Sequence, residues 1–163
     1  MRIRRATPSD IPAMVQLERE NLISINWSHQ HYANLLEPAA SELSENFFIV
    51  LEDAAESKGE SLVALRLPIA GYLAAQGVDG EWDLQYIIVA KEWQRRGFAT
   101  MLLNGLMAHV RSKNGRRICL EVRASNQSAL ALYRKHGFEE VGVRKGYYAN
   151  PPDDAILCRL SLS

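Results

Sequence analysis

The chain has 163 residues, 47% of them hydrophobic, which is enough to bury one sizeable core and short for two independent domains. Its 19 Lys and Arg residues balance 19 Asp and Glu residues, so no net field draws the protein to nucleic acid or anionic lipid. No apolar run approaches the ~20 residues that span a bilayer, and Met1-Arg2-Ile3-Arg4-Arg5 lacks the apolar segment of a secretory signal. The expectation is one cytoplasmic domain over residues 1–163 with no membrane partner.

A strand opens the chain at residues 2–5. Thr7-Pro8-Ser9-Asp10 then supplies a cap, a proline suited to a first helical turn and an acid at capping-box spacing. Ile11, Met14, Val15, Leu17 and Leu22 follow the helical period approximately, giving a helix from near Pro8 through about Asn21. The stretch 25–29 interrupts it, residues 29–36 read as a second short helix, and 47–52 read as a strand. Polar residues 53–60 read as a hairpin loop. Residues 70–76 and 83–89 are strand-like runs around the turn signal Gly77-Val78-Asp79-Gly80.

A helix over 97–113 carries Phe98, Met101, Leu102, Leu106 and Val110 on its apolar side and stops at Asn114-Gly115. Residues 117–122 make a strand, 126–136 a helix ended by Gly137, and 138–143 and 155–162 two further strands. The order implies a mixed α/β (α+β) domain with a largely antiparallel central sheet flanked by helices. Cys119 and Cys158 sit in apolar segments without metal or redox spacing and are expected as buried, reduced core thiols. His29, His31, His109 and His136 form no ligand-spaced cluster, so no metal site is expected, and His29 and His31 read as surface or substrate-cleft residues.

The most informative segment runs from the strand at 83–89 through Gln94-Arg95-Arg96-Gly97-Phe98-Ala99-Thr100 into the apolar helix. A helix N-terminus presents unpaired N–H groups and about half a positive charge, which suits a pyrophosphate. Gly97 permits close backbone approach, Ala99 is small, and Arg95 and Arg96 add charge-assisted donors. The alternative is a solvated basic turn. The glycine fingerprint of dinucleotide sites and the Walker lysine are both absent, which argues against NAD or ATP as the anion.

Gln94-x-x-Gly97-x-Ala99, preceded by a strand and opening a helix, resembles the acyl-CoA-binding motif of the GNAT superfamily of N-acetyltransferases. Leu120-Glu121-Val122-Arg123-Ala124-Ser125-Asn126, then Ala129-Leu130-Ala131-Leu132-Tyr133 and Gly137-Phe138, resembles the ribosomal-protein-alanine N-acetyltransferase (RimI) type within it. Asn26-Trp27-Ser28 and Tyr147-Tyr148 are similar to that group's substrate-side segments. The resemblance implies acetyl-CoA as acetyl donor and a protein N-terminal peptide as acceptor, with a ribosomal protein bearing N-terminal alanine as one form of it. It implies that backbone groups of Ile87, Ile88 and Val89 hold the pantetheine arm, that Arg95, Arg96, Gly97, Phe98, Ala99 and Thr100 form the diphosphate loop, and that Asn126 touches the coenzyme arm.

Alternation along 117–122 places Ile118, Leu120 and Val122 on one face and Cys119 and Glu121 on the other. From the residues alone, Glu121 reads as an ion-pair partner of Arg123 or Arg144; under the resemblance it is the general base. Tyr133 reads as a core tyrosine beside Leu130 and Leu132, and under the resemblance as the general acid that protonates the departing sulfur. An α-amine with a pKa of about 7.7–8.0 is already partly neutral at pH 7, whereas lysine near 10.4 is roughly 3.5 kcal/mol harder to deprotonate. A single carboxylate working through water suits the α-amine. Competing readings are a GNAT enzyme for a small amine or lysine side chain, a non-catalytic acetyl-CoA-binding module, and RNA binding through Arg95, Arg96, Arg116, Arg117 and Arg123, which the balanced charge disfavours.

Overall fold

The computed structural model describes residues 1–21, 29–36, 44–52 and 69–162. Seven strands form one sheet, β1 (Arg2–Arg5), β2 (Ser44–Glu52), β3 (Ile69–Val78), β4 (Glu81–Val89), β5 (Arg117–Arg123), β6 (Glu139–Ala149) and β7 (Pro152–Ser161), in the spatial order β1-β2-β3-β4-β5-β7-β6. Every neighbouring pair is antiparallel except β4 and β5, which are joined by the crossover helix α3 (Phe98–Ser112). Helices α1 (Ile11–Glu20) and α2 (His29–Leu36) precede β2, and α4 (Gln127–Lys135) links β5 to β6.

The helices divide between the two faces. Leu102, Leu103, Leu106 and Val110 of α3, with Leu130 and Tyr133 of α4, pack on Ile49, Leu73, Leu84, Ile118 and Leu120. Ile11, Met14 and Leu17 of α1 and Tyr32 of α2 pack on the other face against Phe48, Val50, Tyr72 and Ile88. Strands β2, β3 and β4 therefore contribute residues to both cores, which is why β3 is buried along nearly its whole length.

The element order is as expected, with shifted ends. A 3-10 turn at Pro8–Asp10 precedes α1, and the Asp10 carboxylate accepts from the Thr7 N–H at 2.8 Å while both Arg4 terminal nitrogens donate to it at 2.8 Å. The turn between β3 and β4 narrows to Asp79 and Gly80, whose φ values of 49° and 78° match a tight hairpin turn. Asn114 at φ 55° and Gly137 at φ 85° terminate α3 and α4 in the left-handed conformation. On α3, Leu103 joins the buried face, and Phe98 and Met101 are only partly buried.

The largest difference is β6, which runs to Ala149, six residues beyond the expected end at Val143. It is an edge strand exposed on both faces and breaks register with β7 in two places, so it carries no apolar alternation to read. The expected loop at 53–60 and the Asn26-Trp27-Ser28 segment lie outside the described residues. Cys158 is buried, but Cys119 is only half-buried on the Glu121 face, a correction to the expectation of two core thiols. Among the described residues no helix is long and apolar enough to cross a membrane.

Candidate active site

The site begins where β4 and β5 part. They pair only at Glu81↔Arg117, Trp82↔Ile118 and Asp83↔Cys119, although both strands continue. Just beyond, β4 bulges against β3: Leu84 faces Ala75 and Tyr86 faces Ala74, leaving Gln85 without an opposite residue. A bulge bends and twists its strand, which accounts for the separation. From Leu84 to Val89, β4 has a ladder on its β3 side alone, so its inner edge offers backbone donors and acceptors with no sheet partner, of which the Val89 carbonyl is taken by the Gln94 side chain.

The opening leads to a cavity of about 560 Å³ lined by Ile87, Ile88 and Val89 of β4, by the loop and first turn of α3, and by α4. Two left-handed residues shape the loop, Arg95 at φ 62° and Gly97 at φ 85°, and such alternation gathers backbone N–H groups into an anion-binding concavity. The first helical bond of α3 runs from the Met101 N–H to the Gly97 carbonyl at 3.0 Å, so the N–H groups of Phe98, Ala99 and Thr100 have no intrahelical acceptor. A Cβ built on Gly97 meets no atom within 4 Å; it is the backbone hand, and the open space beside it, that call for glycine. Gln94 braces the loop by donating to the Val89 carbonyl at 2.9 Å. This surface suits an anionic head joined to an amide-bearing arm.

Arg95, Gly97, Phe98, Ala99, Thr100, Asn126 and Tyr133 all line the cavity. Arg96 does not; its guanidinium lies over the Trp93 ring, 5.0 Å from the centroid. Asn126 caps α4, its Oδ1 accepting from the Ala129 N–H at 3.1 Å, while also facing the cavity. Tyr133 is nearly buried, packs on Phe138 with ring centroids 5.5 Å apart, and has its hydroxyl held above the usual phenol range by burial. It is thus a core tyrosine and a cavity residue at once.

Glu121 stands on the opposite face of β5 from α4, as the alternation predicts. Of its two expected partners, Arg144 on β6 pairs with it at 3.2 Å. Arg123 instead donates to the Pro151 and Asn150 carbonyls at 2.9 and 3.2 Å and stacks on Tyr148, tying down the β6–β7 hairpin. Arg117 pairs with Glu81 at 2.9 Å and Arg116 donates to the Asp79 carbonyl at 2.8 Å, so these two of the arginines weighed for RNA binding, like Arg123, are engaged locally, while Arg95 lines the cavity.

Around Glu121 the fold assembles groups that sequence reasoning missed or only touched. Tyr147 and Tyr148 meet edge to face at 5.1 Å, and the Tyr148 phenol is raised by burial and then by the Glu121 charge. Tyr86, next to the bulge, is raised by burial and by the charge of Glu18, and interacts with Tyr147, Tyr148 and Asp83. Glu18 itself is buried in α1 and accepts from the Tyr72 hydroxyl at 2.6 Å, with the Tyr32 hydroxyl 2.8 Å from that of Tyr72. Burial raises the Glu18 carboxyl above its usual range. A glutamate at a core position of an otherwise apolar helical stripe was the signal available for Glu18; Asp83 and Tyr86 depend on the bulge, which no local pattern announces. Among the described residues, no three His, Cys, Asp or Glu side chains are grouped to hold a metal.

Residues 11–138 match the acetyltransferase (GNAT) family. The chain is 37% identical over 113 residues to the [ribosomal protein bS18]-alanine N-acetyltransferase of Salmonella typhimurium, covering 66% of this chain and 76% of the relative. It is 45% identical over 74 residues to an N-alpha-acetyltransferase of Saccharolobus solfataricus, covering 45% of this chain and 44% of the relative. The crystal structure of the ribosomal-protein-S18-alanine N-acetyltransferase from Escherichia coli superposes with a TM-score of 0.75 at 28% identity, over 99% of this chain and 94% of that one. Arabidopsis thaliana NAA60 in complex with acetyl-CoA shares the fold, with a TM-score of 0.82 at 19% identity over 99% of both chains. With its parted strands, its left-handed loop and these relatives, the chain belongs to the GNAT acetyltransferase family and is an acetyl-CoA-dependent N-acetyltransferase.

Proposed function

We propose that the acceptor is the α-amino group of a protein N-terminus, with a ribosomal protein bearing N-terminal alanine as the form that the relatives' names suggest. The reading takes residues 1–163 as one cytoplasmic domain that uses no metal and has no nucleic-acid or membrane partner. One observation carries it: the parting of β4 and β5 after Asp83 leaves a passage with Tyr133 lining the cavity on one side and Glu121 on the other face.

Bound acetyl-CoA supplies the thioester carbonyl that an amine attacks and the sulfur that departs. The N–H groups of Phe98, Ala99 and Thr100, with Arg95, hold its diphosphate, and Arg96, over the lining residue Trp93, adds positive charge beside the cavity. The free edge of Ile87, Ile88 and Val89 pairs with the amide-bearing arm, and Asn126 steadies that arm from the α4 side. Glu121 accepts the acceptor's proton through a water molecule, and Tyr133 donates a proton to the sulfur. Burial of Tyr133 keeps the phenol protonated at neutral pH, the form a proton donor needs.

Incubating the protein with acetyl-CoA and a panel of peptides, free amines and lysine-containing peptides with blocked N-termini, read by mass spectrometry, tests the acceptor. The expected product carries 1 acetyl group on the peptide N-terminus. Labelling confined to free small amines or to lysine side chains overturns the acceptor assignment.

A further inference from the structure

β6 closes one end of the sheet, and among the described residues its outer edge has no strand beside it. Of the four exposed large hydrophobic side chains among the described residues, three stand on this strand: Val141 at 47%, Val143 at 52% and Tyr147 at 51% exposure. An unpaired edge with apolar side chains is a template for another strand, and solitary edges are commonly guarded by charges and bulges. The charges of β6 are arranged to attract a partner rather than to repel one.

Register fixes their faces. Glu139 lies opposite Arg159, Gly142 opposite Leu157 and Arg144 opposite Ala155, and those three β7 residues lie opposite Cys119, Glu121 and Arg123 of β5. Paired residues share a face, so Glu139, Gly142 and Arg144 all stand on the Glu121 face, the extra residue at Val141 having shifted the alternation between them. Glu139 and Arg144 are therefore evenly placed about Gly142, on one face and with opposite charge. Antiparallel pairing with a second β6, about a two-fold axis at Gly142, sets each Glu139 opposite an Arg144 and brings the exposed valines together. A parallel pairing in register sets like charges opposite and is repelled. Glu140 is held by Arg134 and Lys145 by Asp154, whereas Glu139 makes no hydrogen bond or ion pair among the described residues. Arg144 gives one terminal nitrogen to Glu121, and its side chain, 55% exposed, keeps further donors.

We propose that this chain forms a two-fold dimer with a second copy of itself through β6, joining two seven-stranded sheets into one. Arg144 then bridges Glu121 of its own subunit and Glu139 of the partner subunit, which ties the Glu121 ion pair to the state of assembly. A strand pair of this length buries less than the ~1,600 Å² of a standard stable interface, so the association is weak and reversible.

Sedimentation of the full chain between micromolar and millimolar concentration, as wild type and as charge variants, tests the dimer. The wild type passes from monomer to dimer across that range. Glu139→Arg and Arg144→Glu each set like charges across the axis and stay monomeric, while an equimolar mixture of the two dimerises, because both contacts are again between opposite charges. A wild type that stays monomeric throughout overturns the proposal. Single variants that dimerise as the wild type does place the contact on another surface and overturn it too, as does a mixture that stays monomeric. Gly142→Cys gives a reading independent of charge: a Cβ built on Gly142 meets nothing closer than Leu157 at 4.0 Å, so the side chain is accommodated. Directly opposite residues in antiparallel strands have Cα atoms about 4.5–5.5 Å apart, within the span of a disulfide. Mild air oxidation of Gly142→Cys therefore yields a covalent dimer that the wild type, with its free Cys119 and Cys158, does not form. Absence of that covalent dimer at concentrations where the wild type self-associates overturns the proposal as well.

Discussion

Glu121 and Tyr133 approach the parted strands from opposite faces of the sheet, and their settings differ as their proposed tasks do. Glu121 is partly exposed, paired with Arg144 and within reach of water, while Tyr133 is almost enclosed by the α4 core. Glu121→Gln keeps the shape and removes the base; Tyr133→Phe keeps the packing and removes the proton. Each is expected to slow turnover by roughly 10²- to 10⁴-fold with acetyl-CoA binding nearly intact, as measured by initial rates alongside a coenzyme titration. Turnover at the wild-type rate in both variants removes the assignment. The face of Glu121 was legible from strand alternation, because Ile118, Leu120 and Val122 mark the buried side. Its Arg144 partner was legible only as one of two candidates, because β6 reaches β5 through β7, a pairing no local pattern encodes.

At the scale of elements, two junctions set the site. The first is the turn into α3, where Gly97 sits at φ 85°. Gly97→Ala forces a Cβ into a left-handed residue at a cost of about 1–2 kcal/mol, and sets a methyl group where the proposed diphosphate lies. The expected result is a loss of acetyl-CoA affinity larger than the fall in thermal stability, compared by calorimetric titration and thermal denaturation. The second junction ties the C-terminal half of α3 to the start of β2. His109 stacks on Phe47 at 3.9 Å and its Nε2 lies 2.9 Å from Glu45 Oε1, with Lys113 Nζ 3.1 Å from Oε2. Burial lowers the His109 imidazole below its usual value despite Glu45.

A base with a depressed value in the folded state favours folding most when neutral. Its contribution is complete above the ordinary imidazole value of about 6.5 and is lost as pH falls below it. Thermal midpoints of the wild type should therefore drop between about pH 7 and pH 5 more steeply than those of His109→Gln, which keeps a donor to Glu45 but does not titrate. Parallel profiles would show that the junction does not sense pH in this range. The first junction was legible beforehand, since the glycine turn into α3 stood out by motif, whereas the contact between His109 and Glu45 spans 64 residues of chain.

For the whole molecule, the coenzyme is a structural element as well as a substrate. Its proposed seat touches β4, the α3 turn and α4 together. A ligand at 100 times its Kd stabilises a protein by about 2.7 kcal/mol, which for a chain of this size raises the thermal midpoint by roughly 5–11 °C. Acetyl-CoA should produce such a shift in the wild type and a smaller one in Gly97→Ala. No shift with saturating acetyl-CoA would contradict the seat described for it.

The sequence by itself determined the element order, the basic glycine turn that opens α3 and the side of β5 on which Glu121 stands, since each follows from periodicity or from residue chemistry within a few positions. Tertiary structure alone decided where β4 and β5 separate, which arginine meets Glu121, and that the charge of Glu121 reaches Tyr148. These depend on a one-residue bulge at Gln85 and on pairings between strands far apart in the chain. Local preference sets what a segment becomes, but the register between distant segments is set by the packing of the whole sheet.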